Sequence, residues 1–280
     1  MRRHSILIAL GGCFIVAVGL FLSIGEPAIA DLQLKANDQA LATAAKHQST
    51  IDAALQQFLT PGPSAGGESD DRLLTQSSAN LAQYESSRNL VRTDGAALRN
   101  ALQPAWLTAA AWSQGASLHA AAQRTNTALA ALNQADQVLA AAVDQERLQQ
   151  GFFYASVTEA RMLTAISSRS YVQVDALYAR ADRGLRVSET LMNKPDQSPG
   201  YKPAIRAMRS ILDQTQKYAA ALLRNDQTQA AALHTAMRAG YASLAAATSV
   251  TTVTANNDWN DRKFQPLVAA YHSGLATLLS

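Results

Sequence analysis

The stretch that decides the fold is residues 118–192, LHAAAQRTNTALAALNQADQVLAAAVDQERLQQGFFYASVTEARMLTAISSRSYVQVDALYARADRGLRVSETLM. Its first part sets Leu118, Thr125, Leu129, Leu132, Leu139 and Val143 at steps of three, four and seven. Such steps return a side chain to one face of a helix, so the pattern predicts an α-helix with a coiled-coil-like seam. Gly151 interrupts the run as a potential break. A second seam follows it through Phe153, Val157, Ala160, Thr164, Tyr171, Val174, Tyr178, Ala181, Leu185 and Met192. Heptad spacing held this long predicts one extended helix.

Composition supports the same class. Alanine fills 56 of 280 positions and glutamine 22, while charged residues are only 16%, against about 25% in a typical domain. Alanine, leucine, glutamine and arginine are strong helix formers. Glycine and proline are few and clustered, which excludes a collagenous chain and argues against an all-β sandwich.

The flanks read as helices separated by punctuation. Leu34, Leu41 and Leu55 share a heptad position from Asp31 to Leu59, beside Ile51 and Phe58, before the linker TPGPSAGG at 60–67. Ser69 then reads as a cap, with Asp70 and Asp71 at the positive end of the next helix dipole. That helix carries Leu74, Leu81, Tyr84, Val91, Leu98 and Leu102 and ends at Pro104; a soft spot lies at Gln114 and Gly115. NKPDQSPG at 193–200 is a second linker. Helices resume at Pro203, turn at Asn225 and Asp226, and fray across the Thr- and Val-rich 249–258. They finish with Phe264, Leu267, Val268, Tyr271, Leu275 and Leu278, with Pro266 near the start of that last segment.

The fold class is therefore all-α: an elongated antiparallel helical bundle with coiled-coil-like seams, preceded by an N-terminal apolar signal or anchor helix. Its expected parts are that segment at 1–30, a long-helix bundle at 31–192, a linker at 193–200, and C-terminal helices at 201–280 packing on the same bundle.

The N-terminus says where the chain goes. Arg2 and Arg3 precede an uninterrupted apolar or small stretch from Ile6 to Ile24, followed by Glu26 and Asp31. Nineteen residues just cross a hydrocarbon core of about 30 Å, and the charges leave the bulk of the chain outside the cytoplasm. Two main fates compete: cleavage after Ala28-Ile29-Ala30, or retention as a membrane anchor through Ile6 to Ile24. A third, lipidation at the Leu10-Gly11-Gly12-Cys13 pattern, is weakened by the apolar run that continues past Cys13. All three place the protein in the periplasm, on the outer side of the inner membrane, or outside the cell. Ser5, Ala9, Cys13 and Ala17 recur every four residues, a small-residue stripe that would let two copies pack as a homodimer.

Charge and motifs exclude more than they assign. A net +3 is too small for a nucleic-acid binder. From Asp31 to Ala160 there are 8 Lys/Arg against 12 Asp/Glu, and from Arg161 to Ser280 there are 14 against 8. Either two solvated faces differ slightly, or acidic and basic helices pair. With one cysteine, no disulfide and no cysteine-built metal site can form within the chain. Gly62-Pro63-Ser64-Ala65-Gly66 matches the serine-hydrolase elbow pattern but lacks the strand that chemistry requires. His4, His47, His119, His234 and His272 show no metal-ligand spacing. The carboxylate pairs Asp70 with Asp71 and Asp144 with Glu146 read as capping and solvation. Phe152, Phe153, Tyr154, Tyr171 and Tyr178 read as core at helical spacing. No catalytic residue, cofactor or metal is expected.

One feature invites a partner. Arg180, Arg183 and Arg186 step by three along one helix, and Arg206 and Arg209 follow the second linker. They are the candidate contacts for an anion or an acidic partner, with Asp182 and Glu189 as local offsets. A span leading into long antiparallel helices resembles the extracytoplasmic four-helix sensor modules of bacterial chemoreceptors and sensor kinases. Residues 222–230, LLRNDQTQA, resemble a short turn late in such modules. Those receptors also carry a second span and an output domain, neither of which lies within these 280 residues. The resemblance therefore implies reporting through a partner. The expectation is a non-enzymatic extracytoplasmic bundle acting through protein or envelope contacts, with a ligand-sensing or adaptor module as the alternative.

Overall fold

In the computed structural model, residues 26–60, 70–102 and 114–279 are described. The Ile6–Ile24 stretch, Cys13, the Gly62–Gly66 pattern, Ser69 and Pro104 lie outside them. Seven α-helices and no strand occur among the described residues: α1 Glu26–Leu59, α2 Asp70–Ala101, α3 Gly115–Ser167, α4 Tyr171–Leu191, α5 Tyr201–Leu223, α6 Gln227–Ala247 and α7 Val250–Leu279. They pack as a helical bundle, so the all-α expectation holds. None of them is long and apolar enough to cross a membrane.

Two breaks differ from the expected ones. Gly151 does not end α3, which runs on to Ser167, because the glycine sits against a neighbouring helix. A Cβ there would lie 2.5 Å from the Gly184 carbonyl oxygen. The long second seam instead breaks at Ser168–Ser170. Arg169 takes a left-handed φ of 58°, Ser170 N donates to Ala165 O at 2.8 Å and Arg169 N to Ile166 O at 3.0 Å. That paired pattern is a Schellman closure. It recurs at the anticipated turn, where Asn225 has φ 58° and Asp226 N donates to Ala221 O at 2.9 Å. Asp226 then caps α6 by accepting from Gln229 N at 2.9 Å. The Thr- and Val-rich stretch is the ordered start of α7, and Pro266 lies inside that helix.

The chain divides into two compact units. The first comprises Met1–Ile51, Asn89–Ala135 and Ala269–Ser280. Its core includes the fully buried Leu98, Leu118 and Tyr271, with alanines such as Ala121 and Ala128. Fully buried Thr125 donates to fully buried Asn37 at 2.7 Å, fixing α1 against α3. His47 Nδ1 sits 3.0 Å from both carboxylate oxygens of buried Asp94.

The second unit comprises Asp52–Arg88 and Asp136–Val268. Leu148, Met162, Leu185, Ile205, Met208 and Leu212 belong to one hydrophobic cluster within it. Phe58 packs on Phe264 with ring centroids 5.3 Å apart. The 193–200 segment, read as a linker, is docked: Gln197 and Ser198 are buried. Lys194 reaches Asp144 at 2.6 Å, and Lys263 reaches Asp196 at 2.7 Å. Ser198 donates to Asn256 at 2.5 Å.

Candidate functional site

The five arginines singled out by spacing separate into two groups. Arg209 on α5 is turned toward α4. Its Nη1 lies 2.6 Å from Asp182, and its Nε and Nη2 donate to the two Glu189 oxygens at 2.8 and 2.9 Å. Arg186 reaches the other oxygen of Asp182 at 2.8 Å. Burial tends to raise the Asp182 carboxyl, but hydrogen bonds and charge from Arg209 and Arg186 outweigh it and hold the group below the usual range. Arg180, Arg183 and Arg206 are exposed. None of these three has an ion partner among the described residues.

The reason lies in helix geometry. Asp182 and Glu189 are seven residues apart, one face of α4, and that face meets α5. Arg209 therefore spans both carboxylates, while arginines off that stripe point to water. Tyr178 donates to Asp213 at 2.8 Å and Gln216 to Asp175 at 2.9 Å, completing an antiparallel polar ladder between the two helices. Burial and the Asp213 hydrogen bond both raise the Tyr178 phenol.

A groove borders the same helix. It has a volume of about 570 Å³ and is lined by Leu74 and Leu81 of α2, Gly151 and Tyr154 of α3, and Gly184 and Val187 of α4, among others. Of the aromatics read as core, Phe152, Tyr171 and Tyr178 pack, partly buried, against the Leu148–Met162–Leu185 cluster. Tyr154 is 38% exposed at the groove.

Sequence reading missed two buried carboxylates. Glu146 accepts from Ser77 at 2.8 Å and Asn80 at 3.3 Å; Glu159 accepts from Tyr241 at 2.5 Å and Thr215 at 3.2 Å. Burial raises both carboxyls, and the hydrogen bonds offset only part of it. Burial also pushes the Tyr201 phenol up to about 12, with Gln149 lowering it and Glu146 adding to the rise. Glu146 is thus no solvated partner of Asp144. Its flanks, Ala141 to Val143 and Leu148, were the available signal. Both carboxylates tie helices together. Among the described residues, no group of three His, Cys, Asp or Glu side chains is placed to hold a metal ion.

No family model matches the chain, and neither a curated protein nor a solved structure does.

Proposed function

We propose that this is a non-enzymatic, extracytoplasmic bacterial helical-bundle protein that acts through protein or envelope contacts. The observation that carries the reading is the division of the arginines. Two are engaged within the fold, and Arg180, Arg183 and Arg206 stand exposed without an ion partner among the described residues. Exposed cations held on rigid helices attract acidic surfaces and raise association rates. The extracytoplasmic placement rests on Arg2, Arg3 and the Ile6–Ile24 stretch, whether retained as an inner-membrane anchor or removed near Ala30. The groove beside α4 favours an adaptor form of this reading over small-anion sensing, since its walls are largely apolar.

Crosslinking in cells tests it. Wild-type protein should capture a specific protein or wall polymer, and the triple variant Arg180→Gln/Arg183→Gln/Arg206→Gln should lose it. Capture unaffected by the triple variant sinks the arginine reading. A cytosolic pool retaining Met1 sinks the location.

A further inference from the structure

Three helices of the second unit leave a groove that no described side chain fills. The pairs Ser77–Glu146 and Arg88–Asp136 set α2 antiparallel to α3. Ser188 donates to Leu148 O at 2.7 Å, and Gly151 meets Gly184, which sets α4 antiparallel to α3 as well. Two parallel helices therefore flank a third. The glycines let α3 and α4 approach closely, and the Tyr154 ring packs beside Gly184 at their crossing.

The groove is long enough to lie along one face of a short helix. Leu74 and Glu85 both line it, and at 1.5 Å per residue they mark about 16 Å, or three turns, along α2. Its apolar wall is Leu74, Leu81, Tyr154 and Val187, the last 46% exposed. The polar groups on its α2–α3 side are already satisfied: Arg147 pairs with Glu85 at 2.6 Å, and Gln150 donates to Ser78 at 2.9 Å. The free charge is on α4. Arg180 and Arg183 share the face of Gly184 and Val187 by steps of three and four, and both are exposed.

We infer that this groove takes an amphipathic α-helix of a partner protein, with apolar anchors seated on the wall and Asp or Glu beside them meeting Arg180 and Arg183. A guest helix there would complete a four-helix arrangement, the helix-in-groove mode of recognition. A free polyanion would use the arginines and leave the apolar wall exposed to water. The inference rests on the reading that the chain works by contact.

The test uses the full chain and a synthetic fluorescent helical peptide with leucines at heptad spacing and flanking glutamates, together with a twin carrying lysine for glutamate. Anisotropy should show saturable binding of the glutamate peptide only. Val187→Glu should weaken it by about tenfold or more, as should Arg180→Gln/Arg183→Gln, since each removes an anchor of the contact. Lys217→Gln, on exposed α5 surface, should leave binding unchanged. If Val187→Glu loses helix content, Tyr154→Ser carries the same test from α3. Absence of saturable binding, equal binding of the lysine twin, or indifference to the wall variants overturns the groove. Cellular capture that survives Val187→Glu but not the triple arginine variant overturns the groove and leaves the wider reading standing. Capture that survives both overturns the two together.

Discussion

Tyr241 of α6 donates a 2.5 Å hydrogen bond to the buried carboxylate of Glu159 on α3, and Thr215 of α5 donates to the same oxygen at 3.2 Å. One acid thus joins three helices. Burial nevertheless keeps its pKa above the ordinary value, as it does for Glu146. The sign follows from linkage. Well above the raised values both states are ionised, and the fold carries the desolvation penalty. As pH falls through them toward about 4.3, the unfolded value, the folded chain binds protons first and stability rises. Asp182 opposes this lower down, because its depressed carboxyl loses stabilisation as pH falls through its folded value. Thermal melts should show greatest stability in mildly acid buffer. Glu159→Gln and Glu146→Gln should each raise Tm near neutrality and flatten the slope, at about 2–4 °C per kcal/mol. Lower Tm in both variants at about pH 8, together with an unchanged slope, would refute this.

Arg209 and the arginines outside it should behave differently. Arg209→Gln leaves two carboxylates, only 16% and 31% exposed, without their shared cation. The expected loss is about 2 kcal/mol, below that of a fully buried pair because water screens part of the network. Arg180→Gln, Arg183→Gln and Arg206→Gln should each stay within about 0.5 kcal/mol. Denaturant unfolding separates the cases. A loss as large at Arg183 as at Arg209 would mean that the surface arginines are structural.

Most of the helical architecture was legible because periodicity and punctuation are local. Asn225 and Asp226 announced their turn through residues that suit a left-handed bend and an N-cap. The break at Ser168–Ser170 was hidden, since Thr164, Tyr171 and Tyr178 keep heptad spacing straight across it. The arginine spacing revealed a basic helix, but not which cations Asp182 and Glu189 would take up. That depends on α5 lying alongside, which no local pattern encodes. Glu146 looked solvated for the same reason, since its partners Ser77 and Asn80 come from another helix; Glu159 drew no reading at all, and its partners Thr215 and Tyr241 likewise lie on other helices.

Two glycines in long helices should respond oppositely to alanine. Gly95 is buried, yet a Cβ added there would meet only the far end of the flexible Arg99 side chain, its Nη2 at an ordinary contact distance of 3.5 Å. Gly95→Ala should therefore stabilise by about 0.5–1 kcal/mol through helix propensity. At Gly151 the new Cβ would meet the Gly184 carbonyl oxygen and Ser188 Oγ, each at 2.5 Å. Backbone cannot swing aside as a long side chain can, so α3 and α4 must separate, at a net cost of about 1–3 kcal/mol. Gly151→Ala equal to wild type would show that the two helices do not meet there.

The two left-handed helix ends give a graded prediction. Arg169 and Asn225 both sit at φ 58°, a region that crowds a Cβ against the backbone at roughly 1–2 kcal/mol for an ordinary residue. Asparagine tolerates it better than arginine, and glycine takes it without strain. Arg169 is exposed, so its replacement removes little packing. Arg169→Gly should thus stabilise by up to about 1 kcal/mol, and Asn225→Gly by less, after the entropy that glycine adds to the unfolded chain is subtracted. Chemical denaturation of the two variants checks the order. A larger gain at Asn225, or a loss at Arg169, would mean that the α3–α4 closure is not the left-handed Schellman turn described above.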